Sequence, residues 1–359
     1  MGALRRTLRL AWSLAAIAAP SSPQAQDSVS SKHAAANAPL FTADAPVTIA
    51  IATDLKAFVK NRDSTADYTP ATLTIAGAAS EGGDGSAPIE VGIKSRGHFR
   101  RQKSNCDFPP VLIKFRGHTK ETVFAHQDKL KLVTPCKPGN ADYQQYILQE
   151  YLLYRVYNTL TPFSFRVRLA NVTYQDVKNE MKPIAVQAFL IENEDAMAAR
   201  NGGTVLKAKN AHREDVDTAL VNTLSMFEYL IANTDWSISG LHNVRLVRLP
   251  NVFGVTFPVP YDFDWSGAVN PRYARPDPQL PIRTVEDRLY RGYCMPPADL
   301  EKTIALFNQK HTDINALYTT PALLEPQRAE RTTKYYDDFY KIINDQHKLG
   351  QEIKRACVA

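Results

Sequence analysis

The chain has 359 residues, 44% hydrophobic and 22% charged, with 16 Gly and 23 Pro. Those proportions exclude a fibrous or wholly disordered chain and allow one large or two modest domains with a packed core. The formal net charge of +6 comes from 43 basic and 37 acidic residues. Three of the basic residues fall in positions 1–26, and the remaining 40 against 37 is too balanced to point to nucleic-acid or membrane-surface binding.

At the N-terminus, Arg5, Arg6 and Arg9 precede an apolar run from Leu10 to Ala19, then Pro20, Ser21, Ser22 and Pro23. A basic region, a short apolar run and a small-residue exit predict a secretory signal over 1–26, and hence a secreted or periplasmic protein. The apolar run is shorter than the ~20 residues a membrane span needs. Residues 27–45 open on a Ser- and Ala-rich stretch without apolar periodicity and read as a flexible linker.

From Pro46 the pattern alternates. Val47–Ile51, Ala71–Ile75, Ile89–Lys94, Val111–Phe115 and Leu130–Val133 read as strands, with a Gly- and Ser-rich loop between Ala76 and Ala87. Apolar residues at helical spacing predict a helix from about Ala141 to Leu160, stopped by Thr161-Pro162. Phe165–Tyr174 and Ile184–Ile191 read as a strand pair, Asp215–Ala232 as a second amphipathic helix. A hairpin follows around Pro250-Asn251, and the chain from Glu286 onward reads as helical. The order predicts an α+β protein with a β-rich unit at 46–192, containing one helix, ahead of a mainly helical unit at 193–359.

Cys106, Cys136, Cys294 and Cys357 show no zinc-ligand spacing. In an exported chain an even count favours disulfides, the alternative being four buried thiols. Cys106 and Cys136 flank one β-region and are the expected pair, leaving Cys294 and Cys357 as the second.

Two segments carry chemistry. Asn233–Asn243 is a loop between a helix and a strand, with Asp235, His242 and Asn243. After the hairpin comes Pro260–Gly267, with Asp262-Phe263-Asp264. Alone, an Asp in a loop is most often a cap or turn former. Together, an Asp, an Asn eight residues on, and an Asp at a strand end are the layout of a phosphotransfer site. The first Asp takes or orients the hydroxyl proton, while the Asn and the later Asp hold magnesium.

These residues resemble the CotH-like (spore coat protein H) family of atypical secreted kinases. The resemblance covers roughly 89–267. It rests on Ile93–His98 with its Arg96-Gly97 turn, Val111–Phe115, Lys129–Val133 ahead of a helix, Phe189–Glu192, Asp235, His242-Asn243 and Tyr261–Asp264. It implies a two-lobed kinase-like fold and magnesium- or manganese-dependent transfer of the ATP γ-phosphoryl group to hydroxyls of an exported protein. By the same resemblance Asp235 is catalytic, and Asn243 and Asp262 ligate the metal, with Asp264 competing for the latter role. Lys114 contacts the phosphates and Glu150 orients it. Glu192, ending its strand ahead of the second lobe, is counted with the cofactor-binding residues, and in place of a glycine-rich loop phosphate contact falls to Arg96 and its turn. The sequence departs from phosphate-binding templates in lacking G-x-G-x-x-G and G-x-x-x-x-G-K-[ST], and Asn105–Pro110 has no counterpart in the family pattern. Two other readings fit the same residues: a non-catalytic envelope or adhesion protein, and a phosphohydrolase using Asp262 and Asp264 with two metals.

Overall fold

The computed structural model describes residues 38–76, 87–320 and 323–358. The expected signal segment, the first part of the expected linker and most of the loop after Ala76 lie outside them.

Seven strands form a closed barrel: β1 (Val47–Thr53), β2 (Thr69–Ile75), β3 (Ile89–Ser95), β4 (Val111–Phe115), β5 (Lys129–Val133), β6 (Val167–Asp176) and β7 (Ile184–Ile191). They run in the order β1-β2-β3-β4-β5-β7-β6. Every pairing is antiparallel except β1 with β6, which is parallel, joins Val47 to Ala170 and closes the ring. The expected kinase-like arrangement of a β-rich lobe over a helical lobe is therefore corrected. The β-region is a closed mixed barrel, and closure removes the free edges an open sheet would expose.

Alternation along each strand decides what fills the barrel. Ile49, Ile51, Val91, Ile93, Ile113, Leu132, Val172 and Leu190 point inward and are buried together, with Phe58 of the short helix α1 (Leu55–Lys60) and Phe108 joining them. The opposite faces of β6 and β7, through Leu169, Phe189 and Ile191, pack on helix α2 (Ala141–Leu160). This helix has the predicted extent. Asn140 caps it by accepting the Asp142 N–H, and Thr161-Pro162 ends it. Its buried residues include Tyr146, Leu148, Leu152 and Val156, because the barrel lies on one side and the C-terminal helices on the other.

The remainder comprises α3 (Glu194–Arg200), β8 (Thr204–Leu206), α4 (Thr218–Leu230), β9 (Val244–Arg248), β10 (Phe257–Pro260), α5 (Pro297–Thr319), α6 (Pro326–Ile343) and a last short helix, α7 (Gln346–Leu349). Strands β10-β9-β8 form a separate three-stranded sheet. Residues 286–296 are not helical, so the last helical region begins later than expected. The end of the expected linker is docked: Leu40 is buried in the barrel core, and its carbonyl accepts from Arg168 Nη1 at 2.9 Å.

Cys106 pairs with Cys136 and Cys294 with Cys357. No helix among the described residues is long and apolar enough to cross a membrane. Both features are compatible with an exported protein.

Candidate active site

The site is built where α4 ends. Ala232 turns into the left-handed region (φ 51°) and stops the helix. The Asn233 side chain then accepts the Asp235 N–H at 3.0 Å. Ser237 and His242 exchange backbone hydrogen bonds of 2.9 and 3.0 Å, folding 237–242 into a tight loop that returns His242 to Asp235. Strand β9 leaves from Asn243 and β10 comes back with Pro260 opposite Val244. The Tyr261 N–H therefore bonds to the Asn243 carbonyl at 2.9 Å, which puts Asp262 beside Asn243. Gly267 seals the arrangement: its N–H reaches Ala232 O at 3.1 Å, and a side chain there would collide with the Val285 carbonyl.

Asp235, Asn243, Asp262, Asp264 and Arg96 line one cleft of about 320 Å³, together with His242, Arg100 and Trp265. Asp235 is held on both oxygens. Oδ1 lies 2.7 Å from His242 Nε2, and Oδ2 accepts from Asn243 Nδ2 at 3.1 Å. The same Asn243 nitrogen donates to the Asp235 carbonyl at 2.8 Å. With its nitrogen so engaged, Asn243 keeps its amide oxygen for another partner. Asn243 and Asp262 both hold left-handed backbones, φ 53° and 68°. Strain of this kind costs roughly 1–2 kcal/mol per residue and gathers at functional sites. Tyr154 of α2 fixes Asp262 by accepting its N–H at 2.9 Å, while its ring packs on Phe263.

Asp264 is separated from Asp262 in role. It is buried, its Oδ2 accepts from Tyr273 at 3.0 Å, and it lies 3.6 Å from Arg100 Nη1. Glu150 of α2 lies 3.5 Å from the same nitrogen. Burial raises the pKa of both carboxyls, and the nearby charge adds to it, that of Asp264 on Glu150 and that of Asp262 on Asp264. Burial opposes charge on Arg100 as well, but Tyr273, Asp264, Glu150 and Asp262 outweigh it and hold the guanidinium ionised. Arg100 is thus the buried cation that supports this acidic wall.

Three expected residues, Lys114, Glu150 and Glu192, do not line the cleft. Lys114 lies on β4 opposite Gly92 and Lys129 and does not line it. Glu150 consequently pairs with Arg100, not with Lys114. Glu192 is buried and clamped by two guanidiniums, Arg166 at 2.7 Å and Arg200 at 3.0 Å, which tie the end of β7 to the start of β6 and to α3.

The lysine near the cleft is Lys131 of β5. Its ammonium stands 4.9 Å over the Tyr261 ring, whose surroundings also include Arg245 at 4.5 Å. Burial, then Arg96 and Arg245, push its pKa down to about 8, against the opposing pull of Glu194 and Asp262. Arg245 is paired with Glu194 at 2.5 Å. Arg96 and Lys131 have no such partner among the described residues, so positive charge is left facing the Asp262 side. Alternation in Lys129–Val133 placed Lys131 on the outward face, but only the strand register shows it near Asp262.

The segment without a counterpart, Asn105–Pro110, anchors this end. Cys106 is bonded to Cys136, Phe108 is buried in the barrel, and the Pro110 carbonyl accepts the Arg96 N–H at 3.0 Å. Gly97, at φ 79°, makes the turn between Arg96 and the inward-facing Arg100.

Among the described residues no three His, Cys, Asp or Glu stand together as metal ligands. The oxygens of Asn243 and Asp262 nevertheless suit magnesium, which takes hard donors, needs only one or two protein carboxylates and completes its shell with water and phosphate. A larger groove of about 570 Å³ lies at the β9–β10 hairpin, with Asp215 as its one carboxylate. No family model matches the sequence, and no curated protein matches it.

Proposed function

We propose that the chain is a magnesium- or manganese-dependent phosphotransferase that moves the γ-phosphoryl group of ATP to a hydroxyl of an exported protein, with the chemistry of the CotH-like kinases. The observation that carries this reading is the convergence of Arg96, Asp235, Asn243 and Asp262 on one cleft from separate parts of the chain.

In the reaction the acceptor oxygen bonds to the γ-phosphorus and the bond from that phosphorus to the β–γ bridging oxygen breaks. The electron pair leaves with ADP and the hydroxyl proton passes to Asp235. His242 and Asn243 orient the Asp235 carboxylate for that proton. Asn243 and Asp262 would hold the metal, which when bound neutralises phosphate charge. Arg96 and Lys131 supply positive charge to the phosphates from the barrel side, the role first expected of Lys114.

Phosphohydrolysis by two metals would need the Asp264 carboxylate free as a ligand, whereas its Oδ2 accepts from Tyr273 and lies 3.6 Å from Arg100. Strained backbone at Asn243 and Asp262 favours chemistry over a purely adhesive role. The test is incubation of the purified protein with labelled ATP and magnesium or manganese. Labelling of protein that disappears in Asp262→Ala supports the reading. Absence of labelling, or labelling unchanged by that substitution, overturns it.

A further inference from the structure

Four lysines face outward from three adjacent barrel strands: Lys94 on β3, Lys114 on β4, and Lys129 and Lys131 on β5. Glu90 is the one carboxylate facing outward within those strands, and it lies against Arg116, whose N–H donates to its carbonyl at 2.9 Å. We infer that this face binds a linear inorganic polyphosphate, its chain running from the Arg96–Lys131 end of the cleft across Lys129 and Lys114. The inference rests on the phosphate side of the phosphotransfer reading and adds a partner which that reading does not require.

Register places the charges. Lys114 is directly opposite Lys129, and in the next row Lys94 and Lys131 lie on either side of Leu112. Residues directly opposite in an antiparallel pair bring their Cβ atoms within about 5 Å, and like charges there destabilise the sheet. Among the described residues none of the four ammoniums forms an ion pair. Lys94 donates to the Ser64 carbonyl at 3.2 Å, and Lys131 stands over Tyr261. The acids at the rim leave the centre uncompensated. Asp63, near Lys94, accepts from Thr65 at 2.7 Å, Glu194 is paired with Arg245, and Asp128, exposed ahead of Lys129, pairs with neither lysine of β5.

Two ordinary reasons for strand lysines do not apply. Lysines guard the free edge of an open sheet, but β4 and β5 are hydrogen-bonded on both sides within a closed ring. A solvated face keeps like charges apart, whereas here the register sets Lys114 against Lys129, and all four lysines are half-buried. An anion laid along them removes the repulsion. Its class follows from the residue type. An ammonium serves phosphate as a point charge, while a carboxylate is matched best by the planar fork of a guanidinium. A row made of lysines therefore favours a phosphate chain over an acidic peptide. Continuity sets where the chain begins: Lys131 lies within the field of Arg96, and Arg96 lines the cleft.

The experiment is a calorimetric titration of the full protein at about pH 7, without nucleotide or divalent metal, with inorganic polyphosphate and with polyglutamate of equal charge. Polyphosphate is expected to bind at least about tenfold more tightly. Lys114→Glu sets opposite charges across the strand pair and should fold at least as stably. It is expected to weaken polyphosphate binding about tenfold while leaving ATP affinity within about twofold. Lys182→Glu on the β6–β7 turn should change neither. Polyglutamate binding as tight as polyphosphate, or polyphosphate binding that Lys114→Glu weakens no more than Lys182→Glu does, overturns the inference. Labelled ATP separates the two readings. Polyphosphate binding that depends on Lys114, without phosphoryl transfer from ATP, supports the face and removes the kinase reading. Transfer from ATP without polyphosphate binding does the reverse.

Discussion

The ammonium of Lys131 stands 4.9 Å above the Tyr261 ring, one residue before Asp262, and no carboxylate is paired with it among the described residues. A cation placed so is costly to the folded protein and useful to an arriving phosphate. Lys131→Met is expected to weaken ATP binding about 10- to 100-fold while stabilising the unliganded protein by about 1 kcal/mol. Lys114→Met should leave nucleotide affinity within about twofold, since rim charges away from a ligand contribute little. Because the pKa of Lys131 is depressed to about 8, ATP affinity should fall as pH rises through 8. Calorimetric ATP titrations of the unsubstituted protein and both variants across pH 6.5–9.5 check the affinities, and denaturant melts of Lys131→Met check the stability gain.

Asp262 combines a left-handed backbone, φ 68°, with a carboxylate facing the cleft. Asp262→Gly removes both the strain and the carboxylate. Thermal denaturation is expected to show a gain of about 1 kcal/mol, because glycine adopts this conformation without steric cost. Phosphoryl transfer should be lost in the same variant. A destabilised glycine variant would show that the carboxylate supports the fold.

Glu228 of α4 is buried directly behind the Asn233 turn, and neither of its carboxylate oxygens has a hydrogen-bond partner among the described residues. Burial raises its pKa to about 8 from an ordinary 4.5, with Asn233 opposing and Asp235 adding. Between those values the unfolded chain has released a proton that the folded chain keeps, so stability falls as pH climbs from about 4.5 to 8 and then levels off. Glu228→Gln should abolish that slope and gain about 1–3 kcal/mol near pH 7.5. Denaturant melts at a series of pH values measure it.

The Cys106–Cys136 bridge ties the loop carrying Arg96 and Arg100 to the turn before α2. Closing a loop of this length is worth about 3.6 kcal/mol. The double substitution Cys106→Ser, Cys136→Ser should lose about that much stability and also weaken ATP binding, as the Arg96 end loosens. Removing Cys294–Cys357 should lower stability with a smaller effect on ATP. Parallel melts and titrations distinguish the two bridges.

Legibility in the sequence followed the range of the interactions. Asp235, Asn243 and Asp262 lie within one helix end and one hairpin, so their meeting is dictated locally: β9 and β10 return Tyr261 to Asn243 whatever the remainder does. The extent of α2 was readable for the same reason, from Asn140 at one end and Thr161-Pro162 at the other. The lysine was not. Lys114, Lys129 and Lys131 all sit at alternating outward positions. Lys114 pairs with Lys129, two residues along β5 from Lys131 and so about 7 Å further along the strand. Only the register says which one stands beside Asp262. The clamp on Glu192 was not readable either, because its partners, Arg166 and Arg200, come from different elements.

By itself, then, the sequence determined the paired loop acids between Asn233 and Gly267, the helices with their stops and the alternation of the strands, since each depends on neighbours a few residues away. Barrel closure and the cation that reaches the phosphate side were decided by the tertiary structure. Val47 must find Ala170 and Lys131 must find Tyr261 across more than a hundred residues. Contacts at that distance are set by which packing buries the most apolar surface, and no local pattern encodes that choice.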